Sequence, residues 1–200
     1  MKQNYQFKWL LIFILVTTML TTIFHTKLYA QNKFKSQQVS LVIAGTSTMH
    51  DWEEKANNVI VNSDFLIENG SIKTLNSGFL TVEVKSIKSK EGSMMDNRTY
   101  SALQAEKFPN ITFQISKVLE TQNVNDYTII DVLGNLTIAG KTQSTELQLK
   151  CKMNNGSINI TTTKKIKMTD YGIKPPSFML GALKLGNEVI LTIALTLVNA

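Results

Sequence analysis

From Val39 to the carboxyl end, apolar and polar positions alternate with period two, broken by short turn-forming clusters. Val39, Leu41 and Ile43 alternate up to Gly45, and Thr46 to Trp52 is rich in strand formers. Val59-Ile60-Val61 follows the turn-like Ala56-Asn57-Asn58, while Gly70 and Asn76-Ser77-Gly78 punctuate the next region. Leu80, Val82 and Val84 then form one face of a half-buried strand, as do Ile111, Phe113 and Ile115 further on. Tyr127 to Ala139 places Ile130, Val132, Leu136 and Ile138 on one face, with Gly134 marking a bulge or bend. Leu147, Leu149, Cys151 and Met153 alternate next, and Asn154-Asn155-Gly156 is the strongest hairpin signal, because Asn and Gly tolerate positive φ. Ile158, Ile160 and Ile166 share the following strand, Tyr171 to Leu185 reads as an irregular connection, and Val189, Leu191, Ile193, Leu195 and Leu197 close the chain.

One stretch breaks the rhythm. Ser93 to Phe108 reads as the only helix after residue 30, capped by Asp96 or Ser93 and ended by Pro109. Met95, Thr99 and Leu103 fall on one of its faces. About eight long strands in succession, without a βαβ rhythm, predict an all-β fold: a closed, eight-stranded antiparallel barrel with one short helix inserted between strands. Closure removes exposed strand edges, and a sandwich is the alternative.

Composition changes the picture mainly at the amino end. Lys2 and Lys8 precede the apolar run Trp9 to Phe24, and Leu28-Tyr29-Ala30 offers a cleavage site before Gln31. That order predicts a signal peptide over residues 1–30, a barrel domain over 31–200, and a periplasmic or secreted destination. Without the leader the net charge falls from +6 to +3. The remaining lysines are scattered, which argues against nucleic acid as a partner. Cys151 is the only cysteine, in phase with buried apolar neighbours, and so reads as core.

The chemistry available is sparse. His50 and Asp51 are neighbours on a predicted strand and point to opposite faces, so no metal is expected there. Ser47 lacks the Gly-x-Ser-x-Gly setting of a nucleophile elbow. Glu53 with Glu54, and Asp126 with Asp131, read as solvated faces. No catalytic residue and no cofactor is expected. Binding is expected instead on the apolar faces, with Leu80, Val82, Val84, Phe113, Ile115, Ile130, Val132, Leu147, Leu149, Ile160, Leu191 and Ile193 lining an interior cavity. The helix would close it as a lid, with Met94, Met95 and Leu103 toward the mouth. His50, Arg98, Tyr100 and Asp170 are the candidates for meeting a ligand's polar end, Arg98 being the only arginine.

Several stretches resemble the YceI-like family of secreted, lipocalin-like barrels. The resemblance rests on Gly45 to Trp52 (Gly-Thr-Ser-Thr-Met-His-Asp-Trp), Val84-Lys85-Ser86-Ile87 leading to Met95-Asp96, and Ala102 to Phe113 (Ala-Leu-Gln-Ala-Glu-Lys-Phe-Pro-Asn-Ile-Thr-Phe). It continues through Gly134 to Gly140 (Gly-Asn-Leu-Thr-Ile-Ala-Gly), Met168 to Ile173 (Met-Thr-Asp-Tyr-Gly-Ile) and Gly186-Asn187-Glu188-Val189. It departs at His50-Asp51-Trp52, where many members carry a His-x-Gly type of strand. The resemblance implies a barrel whose apolar cavity holds a long-chain isoprenoid or fatty-acid-like lipid, with membrane contact only for loading or unloading. A homodimer is left open. An enzyme acting on a small apolar substrate, or an extracellular interaction module with a filled core, are the alternatives.

Overall fold

The structure, a computed structural model, describes residues 31–200. The expected signal peptide, residues 1–30, lies outside the described residues. The elements run β1 (Gln31–Ser47), β2 (Trp52–Ala56), β3 (Val59–Glu68), β4 (Ser71–Glu83), β5 (Ile87–Ser89), α1 (Ser93–Ala102) and β6 (Asn110–Val124). They continue with β7 (Tyr127–Ile138), β8 (Lys141–Asn154), β9 (Ser157–Lys167), β10 (Ser177–Phe178) and β11 (Leu183–Asn199). Short 3₁₀ turns cover Val84–Ser86, Met168–Tyr171 and Met179–Gly181.

The eight long strands form a closed antiparallel barrel in the order β1-β3-β4-β6-β7-β8-β9-β11, and β11 returns to pair with β1 from Phe34↔Asn199 to Ser47↔Leu185. The predicted all-β barrel with one inserted helix is the observed fold. Two-residue turns join most neighbours. At Asn155-Gly156 both residues have positive φ (48° and 83°), which matches the strand twist of a tight hairpin.

The sheet keeps its register across one interruption. β1 pairs with β3 from Gln31↔Leu66 to Lys35↔Asn62, and with β2 from Leu41↔Ala56 to Gly45↔Trp52. Between these stretches the chain bends at Asn57-Asn58, and the neighbouring strand bends with it at Val84–Ser86, so that β5 pairs with β2 where β4 paired with β3. The predicted strand through Val84 therefore ends in a 3₁₀ turn. Past the bend, β6 has not yet begun, and α1 stands in the wall instead of a strand.

The other end is packed solid. Phe34 and Phe65 meet edge to face with centroids 5.8 Å apart, among the fully buried Ile130, Val132, Cys151, Ile158 and Leu197. Bulges accommodate residues expected to break strands. Asn76-Ser77-Gly78 is not a turn, because the extra residue Asn76 is absorbed between the pairs Asp64↔Ser77 and Phe65↔Leu75. The bulge expected at Gly134 lies opposite it, at Ser116 of β6, whose hydroxyl donates to the Leu133 carbonyl at 3.0 Å. Gly134 itself makes room for the Phe113 ring.

A Cβ at position 134 would collide with that ring and lie 2.8 Å from the Gln114 carbonyl oxygen, a backbone atom that cannot swing aside. Gly134→Ala is therefore expected to cost about 1–3 kcal/mol in urea unfolding. Gly78→Ala should cost less, since its Cβ would meet only the flexible tip of Ile115. Burial pushes the Cys151 thiol up to about 12. It should resist a thiol reagent at neutral pH in the native protein and react at full stoichiometry only in denaturant.

Candidate functional site

At the bent end of the barrel the walls do not meet, and a cavity of about 870 Å³ remains. Ile43 and Gly45 of β1, Trp52 and Glu54 of β2, Ile87 of β5, and Met95, Arg98, Thr99 and Ala102 of α1 form one side. Ile111, Ile138, Ile166, Met168, Tyr171 and Ile173 form its floor and far side, with Leu185, Val189 and Leu191 of β11 beside them. Its mouth is rimmed by His50, Asp51, Lys90, Glu91, Met94, Phe178 and Glu188. The volume lies within the roughly 300–1,000 Å³ of small-molecule sites, and the lining is mostly apolar.

Local sequence builds each part of this rim. Gly45 lets the Trp52 ring lie flat on β1, since an added Cβ would come within 2.5 Å of it, and the Trp52 indole N–H donates to the Thr46 carbonyl at 3.1 Å. Thr48 ties the β1–β2 loop to the start of β11. Its hydroxyl donates to the Ala182 carbonyl at 2.8 Å and accepts the Lys184 N–H at 3.2 Å. Gly186 leaves space for the Thr46 hydroxyl. Asn187 holds the Met168–Tyr171 turn: its side chain accepts the Thr169 N–H at 3.0 Å and donates to the Thr169 hydroxyl at 2.9 Å.

The helix is fixed differently from the sequence expectation. Gly92, with φ of 88°, stands at its amino end, and neither Ser93 nor Asp96 caps it. Asp96 reaches back instead, accepting the Ser89 N–H at 2.8 Å and the Lys88 ammonium at 3.1 Å. The Ser89 N–H, with Lys88 assisting, holds this carboxyl below its usual 3.8 against the opposing effect of burial. Lys88 also donates to the Tyr100 hydroxyl at 2.6 Å. Tyr100 thus clasps α1 to β5 on the outside and does not line the cavity. The helix ends at Ala102, well before Pro109, because Gln104 turns to a φ of 52°.

Of the residues predicted to line a cavity, Met95, Leu103 and Leu191 do so, together with the predicted mouth residue Met94. Val82, Val84, Phe113, Ile130, Val132, Leu149 and Ile160 are instead buried in packed core. Leu80, Ile115, Leu147 and Ile193 are partly buried against that core, and none of these eleven reaches the cavity. Of the predicted polar contacts, His50 and Arg98 are at the mouth, whereas Asp170 is exposed and borders a separate polar hollow beside Gln143. The loop Thr48–Asp51 is not a strand, so His50 and Asp51 can both reach the rim.

Glu54 is the residue that the sequence reading misplaced. Expected on a solvated face, it is 5% exposed, between β2 and α1, and its carboxylate accepts the Thr99 hydroxyl at 2.6 Å. The signal was the alternation Trp52, Glu54, Ala56, which sets all three inward. Burial, helped by the charge of Asp96 and opposed by the Thr99 bond, raises its pKa above the ordinary 4.5.

A family model, the YceI-like domain, matches residues 59–197. The chain belongs to the YceI-like family. The match begins after Gly45 to Trp52, so that stretch of the resemblance lies outside it. Three solved structures share the YceI-like fold. BcnA of Burkholderia cenocepacia is 17% identical with a TM-score of 0.63, over 79% of this chain and 95% of that one. A polyisoprenoid binding domain from Saccharophagus degradans is 12% identical with a TM-score of 0.62, over 86% and 100%. The YceI protein of Campylobacter jejuni is 19% identical with a TM-score of 0.58, over 74% and 84%. Among curated proteins nothing matches the chain.

Because Glu54 holds its proton more tightly folded than unfolded, its contribution to stability is full below about pH 4.5 and declines as pH rises through the raised value. Glu54→Gln keeps an acceptor for Thr99 and removes the buried charge. In urea unfolding it should match or exceed the wild-type stability at neutral pH, and the difference should vanish toward pH 4.5.

Proposed function

We propose that this protein is a periplasmic or secreted carrier that holds a long-chain amphiphile, isoprenoid or fatty-acid-like, in the cavity under α1. The observation that carries this reading is the cavity itself: about 870 Å³ with a mostly apolar lining in which Ile, Leu and Met are prominent, at the end of the barrel where the strands do not fill the interior. The fold it shares with a polyisoprenoid binding domain supports the same class of ligand. Each buried CH₂ contributes roughly 0.8 kcal/mol, so a chain of about ten carbons gains enough to offset the cost of association with few polar contacts. The methionines of α1, Met94 and Met95, are suited to alkyl chains of varied shape.

A covalent reaction is not part of the proposal. The Ser47 hydroxyl donates to the His50 backbone carbonyl at 2.6 Å, not to its ring, and the ring nitrogen Nδ1 lies 2.8 Å from the Asp51 carbonyl. His50 therefore has no nucleophile to activate in this arrangement, and Asp170 is not beside it.

Native mass spectrometry after incubation with a lipid extract should show an amphiphile bound at one per chain. Ala102→Trp, which projects a ring into the cavity from α1, should weaken binding about 30-fold by displacing two or three CH₂ groups, with little change in melting temperature. Leu103 is a poorer probe, since it packs against both apolar clusters of the barrel. Absence of any bound amphiphile, or equal binding to Ala102→Trp, would sink the carrier reading.

A further inference from the structure

The charged groups at the mouth are mostly paired. Lys90 meets Glu53 at 3.3 Å, Lys165 meets Glu188 at 3.1 Å, and His50 lies 3.7 Å from Glu91. Arg98 lines the same cavity and makes no ion pair with any described residue. Its guanidinium lies 4.0 Å from the centre of the Phe178 ring, and one N–H points at the Met95 sulfur at 3.4 Å. A thioether is a weak acceptor and an aromatic face accepts N–H bonds only weakly, so most of the five donors are left without a strong partner. The neighbouring acid, Glu54, is engaged by Thr99. The remaining rim acid, Asp51, is exposed to water.

The planar fork is also held in place. Phe178 of β10 supports one face while α1 carries the stem, so the cation is fixed across the mouth between the two segments that border it. A preorganised, half-buried guanidinium whose nearby acids are paired elsewhere or face water is matched by an oxyanion with two acceptor atoms. Resting on the carrier reading above, we infer that Arg98 binds the acidic head of the amphiphile, a carboxylate or a phosphate monoester, with the alkyl or isoprenoid tail running inward beneath α1. The ligand class is thus narrowed to acidic lipids.

The test compares three ligands of one chain length, hexadecanoic acid, hexadecyl phosphate and hexadecanol, by equilibrium binding at neutral pH. Wild-type protein should hold at least one acid about tenfold or more tighter than the alcohol, the size of a charge-assisted hydrogen bond. Whichever acid is held tighter names the head group. Arg98→Met keeps the stem on Phe178 and should erase the preference while leaving alcohol binding within about twofold; Arg98→Lys should keep part of it. Equal affinity for acids and alcohol in the wild type, or a preference that survives in Arg98→Met, overturns the inference and leaves the carrier reading standing. If none of the three ligands binds the wild type, both fall.

Discussion

Everything at the functional end depends on a small hydrogen-bonded knot between two bends. Ser86 donates its hydroxyl to the Glu83 carbonyl at 2.7 Å and accepts the Asn58 N–H at 3.0 Å, while its carbonyl accepts the Asn57 N–H at 3.1 Å. The Asn58 side chain donates to the Glu83 carboxylate at 2.7 Å, and its carbonyl accepts the Glu83 N–H at 3.1 Å. The two strands therefore bend together, with these backbone groups paired across the crossing. Where β1 has parted from β3 and not yet met β2, the Ser36 hydroxyl accepts the Val61 N–H at 3.0 Å. Beyond the knot the wall consists of β2, β5 and α1, and a helix is too broad to sit at strand spacing.

That substitution of helix for strand explains why one barrel contains both a dry core and a cavity. At the end holding Phe34 and Phe65, inward side chains from every strand interlock. At the other end α1 holds the wall outward, tethered by Asp96, Lys88 and Tyr100 to β5 and its flanking turn. The space left over is lined by apolar residues, with polar groups gathered at its mouth. Arg98 stands out among these, a cation placed at the edge of an apolar chamber with no ion pair among the described residues. In the carrier we propose, the tail of the ligand and its head are therefore met at different levels along one axis.

The barrel itself was legible in the alternation of Leu80, Val82 or Leu147, Leu149, Cys151, which gives inward and outward faces directly. The level of a residue along the barrel axis was not. Ile130 and Leu191 both alternate inward, yet one meets side chains from the opposite wall and the other meets space. The difference is set by the bends at Asn57-Asn58 and Val84–Ser86, polar or short segments that carry no periodic signal. Glu54 was hidden for a related reason, since a carboxylate next to another carboxylate looks solvated until the helix that covers it is placed. The stretches that resemble the family, by contrast, largely gather at the cavity end: Gly45 under Trp52, Ser86 in the knot, Asn187 on Thr169, and Phe108 packed where a Cβ at Gly140 would sit. They were recognisable before their common purpose was.

If the bent end of the barrel is a chamber for a long-chain amphiphile, a crystal structure of the protein grown with such a ligand will show where it lies. Continuous elongated density is expected from Ile138 and Ile166, under α1, to the mouth beside Phe178. Density confined to the outer surface, or a chamber filled by its own side chains, would rule the chamber out.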